Sequence, residues 1–522
     1  MIRDDRTDLQ RGAPVPPTAT RSVAKNTFLL TSGLMLGRVL ALFVTKKMTP
    51  ILGDEGLGIW FLANDVTVIM LTVTNYGLGV LLTREVTKRP EQSWSQLWAA
   101  LRLRWLLGAL SFGVLALYLR GEPELVTLAV LVTAAGLFLE TTAMACDSVL
   151  QAHEKVQYQA VGQVASAVAY FGLAWWWLDQ GHGLMGVIWA NFASRGVRLL
   201  VMAPLMFWKT GPWRRPLPGE ASPDLRWMLR LGLPMFLATS FGILSYKVDT
   251  IMLFKMVGEA ATGVYGLGHR ALDILLILPN LFATAMFPAL ARYTQVSAED
   301  TSRLAERSLR FMLIVALPLA WAMSLAARPV IEWFARGTEG ADPSQFADSI
   351  TVLRLVIWGL PFQAANHMLN RTLVAADRER VFVLIGAAAV GMNVLLNAIL
   401  IPRFGYYGAG AATVFTLGQS MVMHLICVGR TGYRHPLRRA LLAPVVALVV
   451  SWVATAGLLR LIAPGWLAGW FTLQTEAGWL VFAGGAALWA LLYVFLVFAV
   501  GSLRRDDLAL LSQLVERRGR SG

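Results

Sequence analysis

The chain has 522 residues, of which 56% are apolar and only 15% charged, with a formal net charge of +14. A soluble domain carries about a quarter charged residues, so a water-soluble enzyme or a string of soluble domains is excluded. The Lys and Arg excess is scattered in short segments between apolar runs, which leaves no basic face for nucleic acid.

Residues 1–26 are polar, mixed in charge and contain Pro14, Pro16 and Pro17, and they read as a disordered cytoplasmic tail. Apolar runs then follow one another, each long enough to cross a hydrocarbon core about 30 Å thick. An N-terminal group (27–208) holds spans at 27–48, 57–83, 97–119, 125–150, 157–178 and 183–208. A basic, Pro-rich connector (209–227) leads to a second group (228–428), with spans at 228–254, 265–290, 308–334, 349–374, 381–401 and 408–428. Two more spans, 437–462 and 476–500, lie in the segment 429–501, and a basic cytoplasmic tail (502–522) ends the chain. The predicted fold is therefore all-α and integral to the membrane, with about fourteen spans.

Alternate connectors are rich in Arg and Lys: Arg84, Lys88 and Arg89; Lys155; Lys209, Arg214, Arg215 and Arg226; Arg292, Arg303 and Arg307; Arg378 and Arg380; Arg430, Arg434, Arg438 and Arg439. The opposite connectors hold residues such as Glu122, Glu124, Asp179 and Glu339. The positive-inside rule then puts both termini in the cytoplasm, as an even number of spans requires. Cys146 and Cys427 sit far apart in apolar runs, so neither a disulfide nor a Cys-based metal site is indicated. No Gly-rich nucleotide loop is present, and no cofactor is expected.

The second group echoes the first. Gly53, Gly58, Trp60 and Asp65 recur as Gly258, Gly263, Tyr265 and Arg270 at an offset of about 205 residues. Lys155-Val156 and Gly183 match Arg380-Val381 and Gly408 at an offset of about 225. Six spans per repeat give two lobes related by a pseudo-two-fold axis along the membrane normal, with the substrate site between them near the midplane.

The stretch Lys247-Val-Asp249, Val257-Gly258-Glu259, Gly263-Val-Tyr265, Arg270 and Phe287-Pro288 resembles the seventh-to-eighth-helix signature of polysaccharide transporters. Leu52-Gly53 through Gly58 to Trp60, and Leu150-Gln151-Ala152, are similar to the same family. That family sits in the superfamily of multidrug, oligosaccharidyl-lipid and polysaccharide exporters. The resemblance implies a V-shaped pair of lobes that flips polyprenyl-diphosphate-linked oligosaccharide across the bacterial inner membrane by alternating access. It implies a lipid-linked glycan and membrane lipid as partners, together with glycan polymerase and export machinery.

A charge at mid-bilayer costs about 2.5–3.5 kcal/mol or more, so charges that persist there should face protein or water. Arg38, Arg195 and Arg270 suit a diphosphate, because the guanidinium fork donates paired hydrogen bonds to phosphate. Asp65, Lys247, Asp249 and His269 complete the predicted substrate-binding set, with Trp60 and Tyr265 offering ring faces to sugars. Glu140, Asp147 and Asp273 are candidates for ion or proton coupling. Each has a structural alternative: Arg270 or His269 can pair with Asp273 along one helix, and Glu140 and Asp147, two turns apart on one face, can anchor hydrogen bonds. Arg198 and Lys209 are expected to snorkel to the cytoplasmic surface, Asn393 and Asn397 to join helices, and Trp175–Trp177 to anchor at the interface. A cation-coupled multidrug exporter and a membrane polysaccharide polymerase or ligase are the competing functions. The basic cavity argues against the first and the short connectors against the second.

Overall fold

The computed structural model describes residues 17–211, 224–294, 297–336, 343–431, 437–462 and 476–499. The predicted tails, apart from the start of the first helix, lie outside the described residues, as does most of the 209–227 connector. Every regular element among the described residues is helical.

In chain order the helices are α1 (Pro17–Asn75), α2 (Leu78–Lys88), α3 (Ser93–Tyr118), α4 (Glu124–Ala152), α5 (Gln157–Asp179) and α6 (Gly183–Thr210). Then come α7 (Leu225–Val257), α8 (Glu259–Leu275), α9 (Ile277–Tyr293), α10 (Ala298–Leu325), α11 (Ala327–Ala335), α12 (Ala347–Val356) and α13 (Gly359–Ala375). The last three are α14 (Glu379–Arg430), α15 (Leu437–Ile462) and α16 (Glu476–Ala499). Among the described residues, eight helical stretches are long and apolar enough to cross a membrane. Large apolar side chains cover their outer faces, such as Val114, Leu200, Leu395 and Phe415, as a protein solvated by lipid requires.

α1 and α14 each contain a sharp fold. At 59 residues α1 would run about 88 Å if straight, but Gly53 breaks it at φ 66°, three residues after Pro50. Arg38 from one arm and Val68 and Leu71 from the other line the same small cavity, so the chain doubles back at Gly53. α14 does the same at Gly405 (φ 54°), after Pro402. Elsewhere predicted spans are interrupted. The 57–83 span breaks at Tyr76 and Gly77, both at positive φ. The 265–290, 308–334 and 349–374 spans divide at the junctions of α8 with α9, α10 with α11 and α12 with α13.

Helices α1 to α6 pack mainly on one another, as do α7 to α14, and α15 pairs with α16 and touches α10. The two groups meet chiefly where α1 lies against α7 and α8. Their closest approach is reciprocal. A Cβ on Gly58 would lie 1.9 Å from the carbonyl oxygen of Glu259, and one on Gly263 would lie 1.9 Å from that of Asp54. The repeat offset relates Asp54 to Glu259 and Gly58 to Gly263, so each motif sits on its own copy, as a two-fold contact demands. Only glycine allows backbones this close. The crossing closes the lobes at the end away from the Arg84 connector, here termed the far end; the opposite end is the basic end.

Candidate functional site

Three cavities lie in a row behind the glycine crossing. The far-end cavity, about 310 Å³, is lined by Trp60, Asp65, Lys247, Asp249, Tyr265, His269, Arg270 and Asp273. The middle one, about 350 Å³, is lined by Arg38, Glu140, Arg195 and Arg198, and shares Val68, Tyr170 and Asn191 with the first. The third, about 1150 Å³, reaches Arg84 at the basic end and shares Leu71, Glu140, Gln163 and Arg198 with the middle cavity. Every residue predicted for substrate binding or coupling lines one of these spaces.

In the far-end cavity a carboxylate from one lobe grips the other. Lys247 Nζ is 2.9 Å from Asp65 Oδ1, and the Thr250 hydroxyl donates to Asp65 Oδ2 at 2.8 Å. Lys247 also lies 4.0 Å from Asp273, which takes His269 Nδ1 at 3.5 Å. Asp273 therefore pairs with His269, the second of the two intrahelical alternatives. Asp249 points elsewhere: its Oδ2 accepts from the Tyr265 hydroxyl and from Thr413 Oγ1 at 2.9 Å. Tyr265 is 1% exposed, and the Trp60 ring carries the Arg270 guanidinium 5.8 Å from its centroid. In this conformation the Tyr265 hydroxyl and the Trp60 ring each meet a protein partner while both residues line the cavity.

The middle cavity corrects one expectation. Arg198 does not snorkel; it is buried, with Nη1 on Glu140 Oε1 and Nη2 2.5 Å from Asp147 Oδ2. Two carboxylates on one face of α4 outweigh the reach to the surface. Asn393 and Asn397, both fully buried, bond to each other one turn apart at 2.9 Å. Arg195 stretches across Gly136 of α4 to donate to the Thr133 carbonyl at 3.1 Å; a side chain at position 136 would crowd it.

Sequence reasoning missed Arg104. It has no exposed surface, and it donates to the Thr141 carbonyl at 2.7 Å and to Asn75 Oδ1 at 3.0 Å. It thereby ties α3 and α4 to the end of α1 at the Tyr76–Gly77 break. Its signal was a charge well inside the 97–119 span, masked by its neighbour Arg102.

Sorting the cations by partner separates two kinds. Arg198 and Lys247 are held by carboxylates, whereas among the described residues no carboxylate lies within 4.0 Å of Arg38, Arg195 or Arg270. No cluster of three metal-ligating side chains is found among the described residues. The joined cavities thus carry positive charge that the protein leaves available at depth.

A polytopic helical bundle with two lobes around a charged interior is a membrane-transporter architecture. Residues 23–294, just over half of the chain, match the family described as polysaccharide biosynthesis protein, and the chain belongs to that family. Residues 234–399 also match the MatE family. A probable lipid II flippase MurJ of Rhizobium meliloti is 25% identical over 315 residues, 56% of this chain and 54% of that protein. A probable flippase AglR of Haloferax volcanii is 24% identical over 188 residues, 35% of this chain and 38% of that protein. The chain thus matches about half or less of the length of these curated relatives. In fold it is similar to the solved structure of lipid II flippase MurJ in its inward closed conformation, with a TM-score of 0.68 and 15% identity over 90% of this chain and 98% of that one.

Proposed function

We propose that this protein is a flippase that carries polyprenyl-diphosphate-linked oligosaccharide across the bacterial inner membrane by alternating access. The observation that carries the reading is the set of three arginines, Arg38, Arg195 and Arg270, around joined cavities and without a carboxylate within 4.0 Å among the described residues. An unpaired arginine in low dielectric favours an anion that accepts in the plane of its fork, and a diphosphate does so. The names of the matched relatives support the same class of activity. The basic end faces the cytoplasm in this reading, together with both termini, so that substrate enters through the large cavity near Arg84. The chain acts as a carrier and performs no bond chemistry; polymerase and export machinery take up the delivered glycan.

The MatE match and the buried carboxylate of Asp249 favour a second reading, a cation-coupled exporter of small molecules. A cationic drug would be repelled by the three arginines. Proteoliposomes separate the two: the protein should translocate a labelled lipid-linked oligosaccharide. R38A and R270A should each reduce the rate roughly ten- to hundredfold, since a charge-assisted contact contributes about 1.5–3 kcal/mol. Full transport by both variants, or export of organic cations and no lipid-linked sugar by the wild type, overturns the proposal.

A further inference from the structure

Asp65 is an odd neighbour for an anionic substrate, since its charge repels the ligand that the surrounding cations attract. Its partners explain its place. It belongs to the N-terminal lobe, yet both its oxygens are engaged by α7 of the other lobe, through Lys247 at 2.9 Å and Thr250 at 2.8 Å. The contact lies behind the glycine crossing: Asp65 follows Gly58 on α1 by about two turns, and Lys247 and Thr250 come from α7, the helix before the one that carries Gly263. The pair is largely buried, and Lys247 reaches the same cavity as Arg270.

Resting on the flippase reading, we propose that Asp65 is a positioning residue, an internal stand-in for the substrate's diphosphate. It holds Lys247 and keeps the far end closed until an incoming diphosphate takes Lys247 away from it. Lys247 cannot serve two anions equally. A diphosphate also held by Arg270 outcompetes a single carboxylate, and Asp273, 4.0 Å from Lys247, steadies the ammonium during the exchange. Losing this grip removes the ion pair between the lobes at that depth, and a diphosphate that takes Arg270 also draws it from the Trp60 ring, so headgroup binding becomes far-end opening. An empty carrier stays shut because its own carboxylate occupies the cation.

The test couples two readouts on purified full-length protein in nanodiscs, with undecaprenyl diphosphate as probe. One is its dissociation constant. The other is the rate at which a short bifunctional thiol reagent bridges K255C and E122C, a cross-lobe contact at the far end, in a C146A/C427A background. In this background the probe should slow bridging several-fold. D65N should bridge slowly with or without probe and, with the competitor removed, bind it at least about threefold tighter, while translocating lipid-linked oligosaccharide more slowly. T250V, which keeps the charge pair, should bridge at a reduced rate but still respond to probe, and it serves if D65N does not fold. If the wild type binds no undecaprenyl diphosphate, the flippase reading fails and the clasp with it. If it binds, but D65N binds no tighter and still responds to probe, or T250V bridges like its parent, the clasp alone is wrong.

Discussion

Two buried charge clusters invite comparison, because they use the same chemistry to different ends. Asp65 with Lys247 spans the lobes, from α1 to α7; Arg198 with Glu140 and Asp147 stays inside one lobe, from α6 to α4. A pair between bodies that move apart must break in each cycle, so its strength adds to the barrier for motion. A cluster within a body can be as strong as folding needs. The second is the stronger by count: one guanidinium fork meets two carboxylates, whereas Lys247 meets one closely and another at 4.0 Å. Arginine stands where the contact is permanent, and the compact, more readily re-solvated ammonium stands where it is exchanged.

The largest effect is therefore expected inside the lobe. R198A leaves two carboxylates buried without a counter-charge and should lower stability by about 3–5 kcal/mol, the usual result of removing one partner of a buried pair. Thermal unfolding in detergent would register it as a clear fall in Tm, and adding E140Q and D147N should recover much of the loss by removing the stranded charge. D65N, by contrast, should melt near the wild type, since each lobe keeps its own core. A D65N protein that melts well below R198A would invert the comparison.

The glycine crossing ranks next. G263A places a methyl 1.9 Å from the Asp54 carbonyl oxygen and 2.8 Å from its carbon, and both are backbone atoms that cannot turn aside. Overpacking of this kind costs about 1–3 kcal/mol, here charged against the closed far end in preference to the fold. The lobes should separate at that end, seen as slower bridging of K255C to E122C with little change in Tm. G58A, its repeat mate, should do the same. A difference between the two would show that the contact is less symmetric than its distances.

These three cases also mark what the sequence could reveal. The Gly58 and Gly263 motifs were legible as a repeat, because each carries its own spacing. That the two copies touch each other was not, since contact across an axis leaves no periodicity. Glu140 and Asp147 were legible as one helical face, but their partner lies on α6 and nothing in local spacing points to it; hence Arg198 was assigned to the surface. Long apolar runs marked the chain as an all-helical membrane protein, while the break at Tyr76 was hidden. Gly77 alone is a weak signal inside an apolar run, and a tyrosine at φ 43° is held there by its surroundings, among them the stacked ring of Phe236 at 4.5 Å.

The weakest case sharpens the comparison most. Lys255 and Glu122 also join the lobes at the far end, with Lys255 lying 4.4 Å over the Tyr118 ring and donating to the Tyr118 carbonyl at 3.3 Å. It copies the arrangement of Lys47 with Asp179 and Trp175, where the ammonium lies 4.1 Å over the indole and donates to the Trp175 carbonyl at 3.4 Å. The Lys47 set stays within the N-terminal lobe, whereas the Lys255 set crosses between lobes. The Lys255 side chain is 35% exposed, so water and salt weaken its attraction, and such pairs contribute about 0–1 kcal/mol. K255A should therefore shift the closed fraction by less than about fivefold. It should also make that fraction less sensitive to ionic strength, whereas K47A should leave the salt response of closure intact. Because K255A removes one of the cysteine sites, closure is best followed here by the distance between spin labels on the two lobes. If K255A opens the far end as fully as D65N, then the grip between the lobes lies at the surface and not in the cavity.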